Sequence, residues 1–269
     1  TEKRHSGIME MLMEAGVDIN YRNQDGKTAL AIAASANNTG GMNLLLEAKA
    51  SLTDADIDTN SPLFVEVFAQ AAMSGRNDVI AHLLAAGVSV DIADDLGRTP
   101  LMLAASRGDI AALQLLIDAG ANIDLGSQRS PLMVAIITKR DDAAKFLLDA
   151  GADVDVVCAQ GTALSCAITT KNKKMLSLLL SKNASAAITD TTGATPLIQA
   201  VSQGFANADI VAMLVDAGAP IDAQDSDGRT ALDIAFKKLN TSVVKKLVEA
   251  KATADFDRTD DEEIGRAHV

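Results

Sequence analysis

The stretch that decides the fold reads DDLGRTPLMLAA over residues 94–105. Its first four residues, Asp94–Gly97, have the composition of a tight turn, in which Asp bonds nearby backbone and Gly accepts unusual dihedral angles. Thr99 can accept a backbone N–H at a helix start, and Pro100 suits the first helical position because the N–H it lacks would have no partner there. The stretch therefore predicts a turn followed at once by a helix.

The residues after this stretch predict a second helix packed against the first. Leu101 opens an apolar face with spacings of three and four, and its alanines allow a neighbouring helix to approach closely. Gly108 is predicted to end the first helix because glycine enters the left-handed region freely. A second helix is expected over about 110–117, with Leu113 and Leu116 in the core. The unit is thus a turn and a helix pair.

The Thr/Ser–Pro/Ala–Leu tripeptide that opens the first helix recurs at gaps of 33, 38, 31, 32, 33 and 35 residues. It stands at residues 28–30, 61–63, 99–101, 130–132, 162–164, 195–197 and 230–232. A second signal, large aliphatic residues followed by a sequence such as Asp-Ala-Gly, comes 21 residues after most of these tripeptides. Two interlocked signals at one period indicate a repeat array.

This repeat resembles the ankyrin repeat, because residues 94–105 closely match the family pattern Asp-x-x-Gly-x-Thr-Pro-Leu-x-x-Ala-Ala. The resemblance covers about residues 4–254 and implies an all-α solenoid of about seven full repeats after an N-terminal half repeat. We expect one domain, 1–254, with the half repeat at 4–22 and full repeats at about 23–54, 55–92, 93–124, 125–156, 157–189, 190–224 and 225–254. Residues 255–269 form an acidic, aperiodic tail that we expect to be a frayed end.

The family usually carries His two residues after the Pro, and this chain does not. The position holds Ala31, Phe64, Met102, Met133, Ser165, Ile198 and Asp233. Such repeats are similar to those of bacterial ankyrin proteins, and we expect apolar packing to hold the stack instead.

One first helix is lengthened by an insertion of five residues over 61–75. Phe64 and Phe68 stand four residues apart, on one face of that helix. Exposed aromatic clusters often mark interfaces, whereas rings of this kind can equally cover an elongated core. Both interpretations stay open at this point.

The family implies a concave binding surface, made of the turns that we call fingers and the exposed sides of the first helices. The fingers between Gly120 and Ser130 and between Gly151 and Thr162 are shortened, which predicts a notch or reflects only neutral drift in a surface loop. Met among polar residues is adaptable contact surface. The candidate partner-binding residues are Phe64, Phe68, Asp95, Leu96, Arg98, Met102, Arg107, Ser127, Arg129 and Met133.

The chain is acidic, with 24 Lys and Arg against 36 Asp and Glu and a formal net charge of −12. Nucleic acid and anionic membrane surfaces need basic residues, so neither is an expected partner. The charge favours a partner protein with a basic surface, or it serves only to keep the chain soluble. No apolar run approaches the ~20 residues that span a bilayer.

Residues that carry chemistry are scarce. The chain has three His, and around His82, on a predicted second helix, no zinc site is readable; no phosphate loop or nucleophile motif is present. Of the two Cys, Cys166 is predicted to lie in the core and Cys158 to be exposed in a finger. We expect no cofactor, no metal and no catalysis.

The sequence therefore predicts a protein that binds a partner protein and is a monomer on its own. The first hypothesis is occlusion or inhibition of a partner enzyme, as by a bacterial protein that shields its own cell from a hydrolase. A periplasmic or secreted location, with a removed leader, fits this hypothesis better than the cytoplasm does. The alternative is an adaptor or secreted effector, with this segment as the recognition half of a longer protein.

Overall fold

A computed structural model of the chain describes residues 11, 15–24, 27–35, 39–48, 50, 62–190 and 192–250. The predicted tail, 255–269, and most of the half repeat lie outside the described residues. The described part is helical, and its one extended pairing is an isolated antiparallel bridge between Cys158 and Gly161. The predicted all-α class is confirmed.

The helices come in pairs, each a first helix followed after a short turn by a second helix. The pairs are α1 Ala29–Ser35 with α2 Thr39–Glu47, α3 Pro62–Ser74 with α4 Asn77–Ala85, α5 Pro100–Arg107 with α6 Ile110–Asp118, α7 Pro131–Ile137 with α8 Asp141–Asp149, α9 Ala163–Thr169 with α10 Lys173–Ser181, α11 Pro196–Ser202 with α12 Ala208–Asp216, and α13 Ala231–Lys237 with α14 Thr241–Glu249.

The chain divides into two compact units, residues 1–152 and 153–269. In the first unit, α3 packs against α2, α4 and α5, and α5 packs in turn against α6 and α7. In the second unit, the first helices α9, α11 and α13 pack in sequence, as do the second helices α10, α12 and α14. The repeat boundaries given above stay a prediction.

Local signals start and end these helices as predicted. The Thr99 hydroxyl accepts the N–H of Met102 at 3.3 Å, and Pro100 fills the first helical position. Gly108 ends α5 with a φ of 81°, in the left-handed region that favours glycine. Asp109 then caps α6 by accepting the N–H of Ala112.

The core is built of small and aliphatic side chains. Leu101, Leu113 and Leu116 are fully buried, in agreement with the predicted helix faces. Each such side chain contributes roughly 1.5–3 kcal/mol when it leaves water. Cys166 is buried as predicted, but the prediction that Cys158 is exposed is wrong. Cys158 is only 7% exposed, because its finger folds back through the bridge to Gly161.

The lengthened first helix is confirmed, since α3 has 13 residues against 8 in α5. The prediction that Phe64 and Phe68 are exposed partner-binding residues is wrong, because both rings are 0% exposed. The helix α3 packs against α2, α4 and α5, and the two rings are among the largest fully buried side chains of the described core. The alternative interpretation, in which they cover the core, is the correct one.

The turn inside a pair adopts the left-handed conformation even where no glycine is present. Lys139, Lys171 and Leu239 have φ values of 57°, 55° and 54°. Non-glycine residues adopt this conformation at a cost of about 1–2 kcal/mol each. Leu239 is also 85% exposed, so no burial of its side chain offsets that cost.

Candidate functional site

The finger of residues 94–98 is a turn held by one carboxylate. Asp94 Oδ1 accepts the N–H groups of Leu96 at 3.0 Å and Arg98 at 2.8 Å. Asp94 Oδ2 accepts from Arg98 Nε at 2.7 Å and pairs with Nη2 of the same guanidinium at 2.7 Å. Backbone bonds between Asp94 and Arg98 close the turn. The backbone of the finger is thus held in one conformation by contacts within the finger itself.

The ionisation of Asp94 follows from these contacts. Partial burial by itself raises the pKa of the Asp94 carboxyl, but the bonds from Arg98 and from the Leu96 N–H outweigh it and leave the pKa below its ordinary value. The carboxylate therefore stays charged near neutral pH, where it cannot act as a general acid. Its hydrogen bonds to Leu96 and Arg98 hold the turn together.

Two fingers of the second unit are built in the same way. Asp225 accepts the N–H of Asp227 and of Arg229, and its second oxygen pairs with the Arg229 guanidinium at 2.8 Å. Asp190 accepts the N–H groups of Thr192 and Ala194. Burial raises the pKa of both carboxyls, yet these hydrogen bonds hold each pKa below its usual range.

The next finger of the first unit, residues 124–129, lies beside the first. Ser127 Oγ is 3.9 Å from the point where a Cβ on Gly97 would stand, and the N–H of Asn122 donates to Asp91 Oδ1 at 3.0 Å. A Cβ on Gly126 would collide with the carbonyl oxygen of Arg129. Only glycine fits there, so the backbone of this finger folds tightly on itself.

The Met102 side chain lies beneath this finger. The Met102 Cε atom lies 2.6 Å from the point where a Cβ on Gly126 would stand, so the methyl group reaches the underside of the finger. Met102 is 5% exposed and Met133 is 0% exposed. The prediction that these two side chains form contact surface is wrong, because the finger of the following repeat lies over the Met102 methyl group and Met133 is fully buried.

The other predicted site residues of the first unit are accessible to different degrees. Leu96 is 70% exposed, and Asp95 and Ser127 are also exposed. The Arg98 side chain is 44% exposed while it pairs with Asp94. Arg129 is half-buried, and its Nε atom is buried without a hydrogen-bond partner among the described residues. The structure thus brings five of the predicted residues together on two adjacent fingers.

Arg107 lies apart from the fingers, at the turn inside a pair. Its side chain is 47% exposed, as predicted, and its Nη1 donates to the Met73 carbonyl at the end of α3, at 3.2 Å. Arg140 Nε makes the same contact with the Ser106 carbonyl, also at 3.2 Å. Cations at helix C-termini are stabilising because they oppose the helix dipole.

These ties between repeats were missed by sequence reasoning. In the second unit, Lys238 Nζ donates to the carbonyl of Ser202, the last residue of α11, at 2.8 Å. The signal was available, since a basic residue recurs at the end of several first helices. We therefore assign Arg107 to the cohesion of the stack.

Leu125 is an exposed apolar residue on the second finger that the list of predicted site residues omitted. Leu125 is 38% exposed on the second finger, and Leu96 and Leu125 stand in matching Asp-Leu-Gly sequences at residues 95–97 and 124–126. The recurrence of this tripeptide was the signal that could have identified Leu125. We call Asp95, Leu96, Arg98, Leu125 and Ser127 the finger patch.

The finger patch offers apolar, carboxylate, guanidinium and hydroxyl groups on a fixed backbone, which suits recognition of a surface. Across the described residues, no cluster of three or more His, Cys, Asp or Glu side chains could hold a metal ion. Within the same part of the chain, no helix is both long and apolar enough to cross a membrane.

Comparison with known protein families gives a clear match. A model of ankyrin repeats (3 copies) matches residues 68–158 and 164–260. Among curated proteins, human transient receptor potential cation channel subfamily A member 1 is 32% identical over an alignment of 247 residues, and the match covers 86% of this chain and 21% of that protein. Mouse neurogenic locus notch homolog protein 1 is 32% identical over 121 residues, or 45% of this chain and 5% of that protein. The chain thus spans about a fifth or less of the length of these relatives.

Solved structures include several of similar fold. An ankyrin repeat domain from Acinetobacter baumannii AYE has 28% identity and a TM-score of 0.62, and the match covers 69% of this chain and 98% of that domain. A chain from the complex of the Bd0816 predatory endopeptidase of Bdellovibrio bacteriovorus with immunity protein Bd3460 has 27% identity and a TM-score of 0.57, with 68% and 96% covered. The ankyrin repeat domain of Bcl-3, at 24% identity and a TM-score of 0.64, is similar in fold over 83% of this chain and 99% of that domain.

Proposed function

Because this chain belongs to the ankyrin repeat family, whose repeats mediate protein–protein interaction, we propose that it binds a partner enzyme through the finger patch and inhibits it by occlusion. The chain itself performs no catalysis in this proposal. Its fold is typically an interaction scaffold, and fold alone does not name the partner.

The observation that carries the proposal is an exposed leucine on a turn that is already rigid. Leu96 is 70% exposed, while Asp94 holds the backbone N–H groups on both sides of the finger tip. An ordered loop loses little conformational entropy on binding, so more of the contact energy contributes to affinity. Leu125, on the adjacent finger, adds a second exposed apolar side chain to the patch.

Charge supports a partner with a basic surface. In the first unit, residues 89–98 and 121–130 contain four Asp and two Arg, for a net charge of −2. One of those two Arg, Arg98, is paired with Asp94. Complementary charge speeds association and disfavours partners of the wrong sign. The inhibitory role is further supported by the similar chain from an endopeptidase complex with an immunity protein.

The test compares the full chain as bait with two variants. The double variant Leu96→Ser, Leu125→Ser should bind the captured partner about 30-fold more weakly, which corresponds to a hot-spot loss of about 2 kcal/mol. The control is Met73→Ser, because Met73 is 53% exposed in the same unit but lies on α3. Its affinity should equal that of the unchanged chain, as measured by calorimetry.

Inhibition is measured separately, on the purified partner. Its turnover should fall when the chain is added in equal amount and should recover with the double variant. Unchanged affinity in the double variant would contradict the finger patch as the site. Tight binding without loss of turnover would contradict inhibition and leave binding intact.

The alternative function is an adaptor or secreted effector in which this chain is the recognition segment. The supporting observation is that the match to the human channel protein occupies only 21% of that protein. An adaptor would bind its partner through the same patch while the turnover of the partner stays unchanged. The inhibition assay therefore distinguishes the two functions.

A further inference from the structure

Three of the first helices are preceded by an arginine at the same position. Arg98, Arg129 and Arg229 each stand directly before the Thr or Ser that caps the helix. The three capping residues have nearly the same extended backbone. The surroundings of the three guanidinium groups can therefore be compared position by position.

Two of these arginines are paired with an aspartate four residues earlier in their own finger. Arg98 Nε donates to Asp94 Oδ2 at 2.7 Å, and Arg229 Nε donates to Asp225 Oδ2 at 3.0 Å. Each of these guanidinium groups thus has a carboxylate from its own finger, and a partner protein has no need to supply one.

Arg129 has no such carboxylate, because the residue four positions before it is Leu125. Among the described residues, no ion pair or hydrogen bond involves the Arg129 side chain, and its Nε is buried without an acceptor. A buried donor that lacks an acceptor is costly, and the cost is larger for a charged group. Arg129 is therefore unsatisfied at a position where Arg98 and Arg229 are satisfied.

The outer edge of the Arg129 guanidinium is available to an incoming group. The residue is half-buried, and Nε is the nitrogen of its side chain that is buried. The other two nitrogens, Nη1 and Nη2, have no acceptor within the described part of the chain and are not buried. Together they can donate two parallel hydrogen bonds to one carboxylate, which is a strong and geometrically specific contact.

The position of Arg129 makes its pairing important for any partner that covers the finger patch. Arg129 belongs to the same finger as Leu125 and Ser127, two residues of that patch. A partner seated on this finger removes water from the guanidinium as well. A charge that loses its water and gains no acceptor weakens binding, so partners that bring no acceptor are disfavoured.

We propose that Arg129 selects the partner of the finger patch by binding a side-chain carboxylate, Asp or Glu, of the partner protein through Nη1 and Nη2. This inference rests on the proposed function, because it concerns a protein docked on the finger patch. The carboxylate belongs to a partner surface that is otherwise basic, in which a cation faces the exposed Asp95. Arg98 requires no carboxylate from the partner, since Asp94 already supplies one.

The first experiment uses the full chain alone, with acetate as the probe. The Nε–H signals of the three arginines are followed by nuclear magnetic resonance while acetate replaces chloride at constant ionic strength. The Arg129 signal, assigned by its loss in Arg129→Lys, should shift saturably with a dissociation constant of roughly 10–100 mM. The Arg98 and Arg229 signals should shift far less, because each Nε already donates to its own aspartate. An Arg129 response no larger than that of Arg229 would overturn the proposal.

The second experiment measures affinity for the captured partner by calorimetry. Arg129→Gln should weaken binding about 30-fold, and Arg129→Lys about tenfold, because an ammonium group keeps the charge but cannot make the two parallel bonds. The matched control is Arg229→Gln, the same change at the same position of a finger outside the patch, and its affinity should equal that of the unchanged chain. The melting temperature of Arg129→Gln should not fall, since no hydrogen bond within the described residues is lost.

The third experiment locates the carboxylate on the partner. Carboxyl groups of the complex are coupled to glycinamide with a carbodiimide and identified by peptide mass spectrometry. One Asp or Glu of the partner should be protected by the unchanged chain and should react several-fold more in the complex with Arg129→Gln. Protection of the partner's C-terminal carboxylate alone would overturn the assignment to a side chain.

The affinities also separate this inference from the proposed function. Unchanged affinity in Arg129→Gln, with a loss in the double variant of Leu96 and Leu125, would overturn the role of Arg129 and leave the finger patch as the site. Unchanged affinity in both variants would overturn the finger patch itself.

Discussion

Replacing Phe68 by alanine tests whether the lengthened helix α3 is core or interface. The ring is 0% exposed, and α3 packs against three neighbouring helices. Truncation of a buried Phe removes its transfer free energy and leaves a cavity, which together cost about 3–5 kcal/mol. Domains of ordinary stability have about 5–15 kcal/mol in total, so the loss should be large but measurable.

Urea unfolding followed by far-ultraviolet circular dichroism measures this loss. With a urea slope of about 2 kcal/mol per molar, a loss of 4 kcal/mol moves the midpoint down by about 2 M. The control is Met73→Ala on the same helix, where the side chain is 53% exposed. That change should alter the free energy of unfolding by less than about 0.5 kcal/mol.

The reasoning would be refuted if Phe68→Ala and Met73→Ala had the same midpoint. A ring that contacts only a partner would give that result, together with a loss of binding at unchanged stability. The double change of Phe64 and Phe68 to serine should accordingly unfold the first unit, so it cannot serve as a clean binding variant.

Three further outcomes follow from the described residues. Leu239→Gly should stabilise the chain by about 0.5–1 kcal/mol, because glycine relieves the positive φ and an 85% exposed side chain loses no packing; a lower melting temperature would contradict this. Gly126→Ala should cost about 1–3 kcal/mol in urea, since the new Cβ meets the Arg129 carbonyl. The pKa values of Asp94 and Asp225 are lower in the folded chain than in the unfolded chain, so the two ionised carboxylates stabilise the folded state. This contribution to the free energy of unfolding is complete above the unfolded pKa of about 3.8 and is lost as the pH falls through the folded pKa. In Asp225→Asn, the free energy of unfolding should therefore fall less steeply as the pH is lowered. An unchanged pH profile would be evidence against a stabilising role of the Asp225 carboxylate in its turn.

Local sequence was enough to predict where the helices begin and end. Thr99 caps α5 because its side chain reaches a backbone N–H only three residues away, and Gly108 ends α5 through its own dihedral freedom. Periodicity likewise identified Leu113 and Leu116 as core, since one face of each helix must turn inward. These features depend on a few neighbouring residues and need no knowledge of the stack.

Only the tertiary structure decided which of the remaining apolar side chains are covered. Periodicity shows that Phe64, Met102 and Met133 lie on first helices, but it does not show what covers them. The methyl group of Met102, for example, lies against the finger at Gly126, which is 24 residues further along the chain. The same holds for the tie from Arg107 to the Met73 carbonyl, which joins residues 34 positions apart. Leu96, at the finger tip, stays 70% exposed. Of the ten candidate residues, the structure places five on two adjacent fingers.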